Sequence, residues 1–284
     1  MIIAPVMKDE PIITSAQNPK VKNVVKLRQR SHRDELGLMI VEGYRELCRA
    51  LDNHHVPESL FYCENWFLGK NEPSLIEACR AVGARVVPCS ADVFKKMAYR
   101  ERPEGLLALI PYLRCRLEDL QLPATPLLIV AEAIEKPGNL GTILRSADAA
   151  GVDAVLVCDR CTDIHNPNVV RASTGTLFSV PVVDVSSVEA LAWLKQRNIK
   201  VLAATPHAAR QYWETDLQAG IAIVVGAEQY GLSRLWMQAA DLQVRISMRG
   251  QADSLNVASA TTILLFEALR QRVAGVPSRP GGGG

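Results

Sequence analysis

The 284-residue sequence predicts an α/β protein in which a smaller α/β domain precedes a parallel-sheet domain. Three observations carry this expectation. The length suits two domains at roughly 150 residues each. Hydrophobic residues make up 48% and charged residues 22%, an ordinary globular balance that can bury a core. Apolar runs of strand length alternate with helical stretches along nearly the whole chain, the pattern of a sheet covered by helices.

The elements follow in order. Residues 1–12 read as a lead. Ser15 to Arg33 reads as a basic helix, capped by Ser15 or Asn18, with Pro19 in its first turn. Strands are expected at 36–43, 59–63, 85–90 and 105–112, with helices after 43, at 74–82 and from 91. This first domain spans 12–112. Residues 113–125 are polar, carry Pro123 and read as a linker. The second domain spans 126–275 and opens with the near-continuous apolar run LLIVAEAI (127–134). Further strands are expected at 154–159, 178–185, 199–205, 221–227 and 242–248, and residues 276–284 read as a disordered tail.

Composition excludes several classes. No apolar run approaches the roughly 18 uncharged residues of a membrane span. MIIAPVMKDEP lacks the pattern of a secretory signal, so a cytoplasmic protein without membrane partners is expected. Seven scattered cysteines, an odd number, do not make a disulfide framework. Cys158 and Cys161 form a C-x-x-C near His165, but zinc wants four ligands and there is no second pair, so no metal is expected. The net charge of +2 is uninformative, but its distribution is not. Lys20, Lys22, Lys26, Arg28, Arg30 and Arg33 lie together with no acid among them, a pattern that suits phosphate contact as well as a solvated helix face.

Ligands of a parallel sheet sit beyond the carboxyl ends of its strands. Three segments there carry unusual polarity. EKPGNLGTILRSADAAG (135–151) offers Asn139 as an N-cap and a helix running to Gly151, with Arg145 and Ser146 off its apolar stripe. IVVGAEQYGLS (223–233) places Gly226 at a strand end and Glu228 in the turn. ISMRGQADSLNVASATTILLFEALRQR (246–272) is a polar loop followed by a long helix, capped by Ser254 or Asn256. Each has a plain structural reading as a cap, a turn or a core helix. A phosphate loop, a nucleophile elbow and the dinucleotide-binding glycine fingerprint are all missing.

Together and in this order, the segments resemble the three motifs of SpoU/TrmH-type RNA 2′-O-ribose methyltransferases. The first matches at Asn139, Gly141, Thr142, Arg145 and Ser146. The second matches at Gly226, Glu228, Gly231 and Leu232, and the third at Ile246, Met248, Gly250, Ser254, Leu255 and Asn256. IVEGYRELCRAL (40–51) resembles the family's substrate-binding domain. Many members carry proline where this chain has Ser247. The resemblance implies a catalytic domain with a deep trefoil knot, an exception to the general absence of knots. It implies S-adenosyl-L-methionine as methyl donor, bound by Thr205, Gly226, Ile246, Met248 and Leu255, and a homodimer with its site near the interface. Asn139, Arg145, Glu228, Ser254 and Asn256 would be the catalytic set, and Lys22, Lys26 and Arg28 would grip RNA. Arginine is normally always protonated, so Arg145 suits an electrostatic clamp better than a general base. Ribosomal RNA is favoured over transfer RNA; the alternative is a non-catalytic RNA-binding or ribosome-assembly protein of the same fold.

Overall fold

The computed structural model describes residues 10–274, so the expected tail and most of the expected lead lie outside the described residues. The basic stretch forms two helices, α1 (Pro19–Lys26) and α2 (Arg30–Leu36), rather than one. Asn18 caps α1 through the Lys20 N–H, and Pro19 sits in the first turn, where a helix needs no N–H. Packing breaks the stretch: Leu27 is fully buried at the end of α1, and the buried Arg33 donates at 2.9 Å to the carbonyls of both Leu27 and Arg28. Then follow β1 (Leu38–Glu42), α3 (Tyr44–Asp52), β2 (Ser59–Tyr62), α4 (Glu72–Ala81), β3 (Arg85–Pro88), α5 (Ala91–Met97) and β4 (Leu106–Pro111), in the expected order.

The second half runs β5 (Leu127–Glu132), α6 (Pro137–Ala150), β6 (Ala154–Cys158), α7 (Pro167–Ser173), β7 (Val182–Val185), α8 (Ser187–Gln196), β8 (Lys200–Ala204), β9 (Arg210–Gln211), β10 (Ile221–Val225), α9 (Arg234–Ala239), β11 (Leu242–Arg245) and α10 (Val257–Ala274). The short β9 has no counterpart in the sequence reading, because two residues leave no periodicity to detect. Among the described residues, no helix is long and apolar enough to cross a membrane.

Contacts divide the chain into two units. One comprises residues 10–113 with His165–Ser179; the other comprises Arg114–Ile164 with residues 180–274. Two expected boundaries therefore move. Residues 165–179, placed by the sequence reading in the second domain, pack with the first unit. There α7 lies against β1, and the 3-10 turn Thr176–Phe178 lies against α3. Arg49 donates to the Thr174 carbonyl at 2.7 Å, and Asn168 donates to the Tyr99 hydroxyl at 2.9 Å. Phe178, expected to open a strand, belongs to that 3-10 turn, and the strand begins at Val182. The 113–125 segment is not a free linker either: Leu117 and Leu120 are buried in the core of the second unit.

The first unit holds a four-stranded mixed sheet, β1-β4-β2-β3, in which only β2 and β3 run parallel. Val24, Leu27, Ile40, Phe61, Val87, Phe94 and Met97 meet in its core. The second unit holds a seven-stranded sheet, β7-β6-β5-β10-β8-β11-β9, parallel at every pairing. Every residue of β5, β6 and β10 is buried, as both faces of a helix-covered parallel sheet require. Parallel pairing brings the carboxyl ends of β5, β8, β10 and β11 to one edge, and the three polar segments begin there.

Candidate active site

The first segment opens with irregular chain through Glu135 and Lys136, and α6 starts at Pro137 with Lys136 as its N-cap residue. Asn139 is therefore not the cap expected from the sequence. Proline fits the first helical position, which shifts the start three residues upstream and leaves the Asn139 amide unused by its own backbone. That amide donates to Glu228 Oε1 at 2.9 Å. Glu228 lies in the turn after β10, and it also accepts from Lys136 Nζ. Asn256 completes the group. Its Nδ2 donates to Glu228 Oε1 at 2.6 Å and lies 3.1 Å from Asn139 Oδ1. Its Oδ1 caps α10 by accepting from the Ala258 N–H at 3.0 Å.

One residue from each motif thus converges on a single carboxylate. Lys136 first, then Asn139, holds the Glu228 carboxyl below its usual value of 4.5, so the carboxylate stays ionised near neutral pH, paired with the Lys136 ammonium. Of the two caps considered for α10, Asn256 is the cap, and Ser254 is left exposed on the loop that borders the cavity. Arg145 is exposed on α6, six residues beyond Asn139, and makes no hydrogen bond or ion pair with any described residue. The structure thus joins Asn139, Glu228 and Asn256, and leaves Arg145 and Ser254 outside that hydrogen-bonded group. Lys136 escaped the sequence reading. Its only signal was position, a lone cation immediately before the helix-opening proline.

Beside the frame lies a cavity of about 320 Å³, within the range of small-molecule sites. Thr205, Gly226, Ile246, Met248 and Leu255, the five residues singled out for a cofactor, all line it. Val225, Leu232 and Leu264 add apolar wall, and Asp253 and Ser254 add polar groups at one side. The second-motif loop needs its glycine. A Cβ on Gly226 would sit 2.4 Å from the Gly231 carbonyl oxygen, too close for any side chain. Gly231 itself has φ +66° and closes the loop by donating to the Ala227 carbonyl at 2.9 Å. Thr205 is fixed by its N–H on the Val244 carbonyl, again at 2.9 Å.

Other candidates resolve differently. Lys22 and Lys26 are exposed on α1. Arg28, grouped with them as an RNA ligand, spends its guanidinium on the carbonyls of Lys96, Met97 and Ala98 at the end of α5, at 3.0, 3.3 and 2.7 Å. Cys158 is buried on β6, where desolvation pushes its thiol far up, so its pairing with the exposed Cys161 makes no reactive dithiol. No metal-holding cluster of His, Cys, Asp and Glu occurs among the described residues.

Known proteins share this architecture. The SpoU rRNA Methylase family matches residues 126–266, and the MRM3-like substrate binding domain matches residues 18–108. A tRNA/rRNA methyltransferase of Synechocystis is 32% identical, covering 98% of this chain and 99% of its own. The 23S rRNA (guanosine(2553)-2′-O)-methyltransferase of Bacillus subtilis is 30% identical over 89% of this chain and 97% of its own. Among solved structures, an RNA 2′-O ribose methyltransferase is 42% identical, with a TM-score of 0.82 over 93% of this chain and 100% of its own. The methyltransferase AviRb of Streptomyces viridochromogenes, solved with its cofactor AdoMet, is 29% identical, with a TM-score of 0.83 over 91% of this chain and 100% of its own. With curated relatives at 30% identity or more aligned over nearly their full length, the chain belongs to the SpoU rRNA methylase family.

Proposed function

We propose that this protein methylates a ribose 2′-hydroxyl of ribosomal RNA, using S-adenosyl-L-methionine, in the cytoplasm. The observation that carries the reading is the cavity at the strand ends, flanked by the frame in which Asn139, Glu228 and Asn256 meet. The lining suits the donor: Val225, Leu232, Ile246 and Met248 offer an apolar slot for a nucleoside, while Thr205, Asp253 and Ser254 offer polar contacts. The names of the relatives support ribosomal RNA as the substrate class.

When bound, the donor supplies an electrophilic methyl group on a sulfonium. The residues of the chain then have two tasks. Ile246, Met248 and the Gly226 loop hold one reactant, and the Lys136–Asn139–Glu228–Asn256 frame fixes the entrance against which a ribose would be set, which is catalysis by proximity. Arg145, exposed and unpaired among the described residues, is available to hold a phosphate and to stabilise charge growing on the 2′-oxygen. Ser254, at the cavity edge, would complete the polar contacts to the ribose. Only RNA carries the accepting hydroxyl, so the chemistry itself selects RNA over DNA.

Two structural expectations belong to this reading. Late strands interleave with early ones, β10 between β5 and β8 and β11 between β8 and β9, which supports the knotted thread implied by the family. Phe266 and Val273, seven residues apart and both exposed on α10, give that helix an outward apolar face, which supports a homodimer. The test of function is transfer of labelled methyl from S-adenosyl-L-methionine to ribosomal RNA, with the site mapped as a missing 2′-O-methyl in RNA from a deletion strain. Arg145→Ala should abolish transfer while donor binding persists in calorimetry; normal turnover by that variant would remove Arg145 from the mechanism.

A further inference from the structure

We propose that Gln211 and Ser247 form a clasp on the outer side of the cofactor cavity and that this clasp sets the affinity for the donor. Side chains alternate along an extended chain, so Val244, Ile246 and Met248 face one way and Arg245 and Ser247 the other. The first three line the cavity. The other two meet Gln211, which lies level with Arg245 on β9, the edge strand of the sheet. With its amide oxygen turned to Arg245, Gln211 accepts from Nε at 3.1 Å and from Nη2 at 3.2 Å, and its nitrogen donates to Ser247 Oγ at 2.7 Å.

The strand ladder ends at Arg245. Past that point the Ser247 hydroxyl ties the chain back to β9, and residues 246 and 248 keep their inward direction because residue 247 is held outward. β9 is itself secured beside the clasp, where the Gln211 N–H donates to Glu214 at 3.0 Å. Ser247 and Gln211 touch no reacting atom; they are positioning residues acting through Ile246 and Met248. A proline at 247 would restrain the same segment by fixing its backbone torsion, whereas serine does so through a side-chain bond that needs a partner. In this chain Gln211 is that partner.

The inference rests on the cavity being the donor site, and calorimetric titration with S-adenosyl-L-methionine separates the two ideas. Ser247→Ala and Gln211→Ala should each weaken binding on the order of three- to tenfold, the value of one lost hydrogen bond. The double variant should be no weaker than either single one. In turnover, KM for the donor should rise while kcat at saturation and KM for RNA stay put, and Ser247→Thr should retain affinity. If Ser247→Ala melts before binding can be read, Gln211→Ala carries the same test, since it keeps the backbone bond to Glu214. Unaltered binding by both alanine variants overturns the clasp while leaving the functional reading standing. Absence of binding to the unsubstituted chain overturns the functional reading and the clasp with it.

Discussion

Glu228 accepts hydrogen bonds from Lys136, Asn139 and Asn256, so the frame stands or falls with one carboxylate. The donors favour its charged form, which is why its pKa is lowered, with Lys136 the largest cause. The sign follows directly. A group whose folded-state pKa is depressed lends its full stabilisation above the ordinary value of 4.5, and loses it as pH falls through the lower folded-state value. The stability that the frame contributes should therefore be level from pH 8 to about 5 and fall only in stronger acid, and in unfolding measured across pH Glu228→Gln should remove that acid limb. A decline already under way at pH 6 in the unsubstituted chain would place the titrating group elsewhere. Sequence alone could not show this arrangement. Asn139, Glu228 and Asn256 are legible as motif positions, but the sequence around Asn139 points to a helix cap. The release of Asn139 for Glu228 depends on Pro137 taking the first helical position, a shift of three residues, less than one turn.

At the scale of elements, the basic stretch separates into two functions. Arg28 closes the end of α5 through three carbonyls, so Arg28→Ala should lower stability by about 1–2 kcal/mol in urea unfolding, with RNA binding affected only through stability. Lys22 and Lys26 make no such bonds with any described residue. Replacing both with alanine should leave stability unchanged and lower the slope of log affinity on log salt by about 1 to 2. An Arg28→Ala protein as stable as the parent would show that the α5 cap contributes nothing. Strands are legible in the sequence because buried parallel strands are nearly unbroken apolar runs, as in β5 and β10. Continuous charge makes the basic stretch look like one helix, whereas its break is set by Leu27 entering the core, a tertiary event that charge does not report. Similarly, Leu117 and Leu120 lie in a stretch polar enough to read as a linker, yet both are buried.

At the scale of the molecule, the proposed homodimer would use the outward side of α10. Phe266 is 46% and Val273 63% exposed. Phe266→Glu should convert a dimer to a monomer in light scattering after gel filtration; a dimer that survives the change would move the interface to another face. The division into units has a consequence in time. The unit that begins at the N-terminal end includes His165–Ser179, so its last pieces, α7 against β1 and the Thr176–Phe178 turn against α3, are translated about 65 residues after Leu113. At ~5–20 residues per second this is a wait of roughly 3–13 s, during which the nascent chain must shelter an unfinished β1 face while β5, α6 and β6 are still leaving the ribosome. The order of synthesis and the order of completion differ, so the first unit stays incomplete for that interval although all four strands of its sheet have already been made.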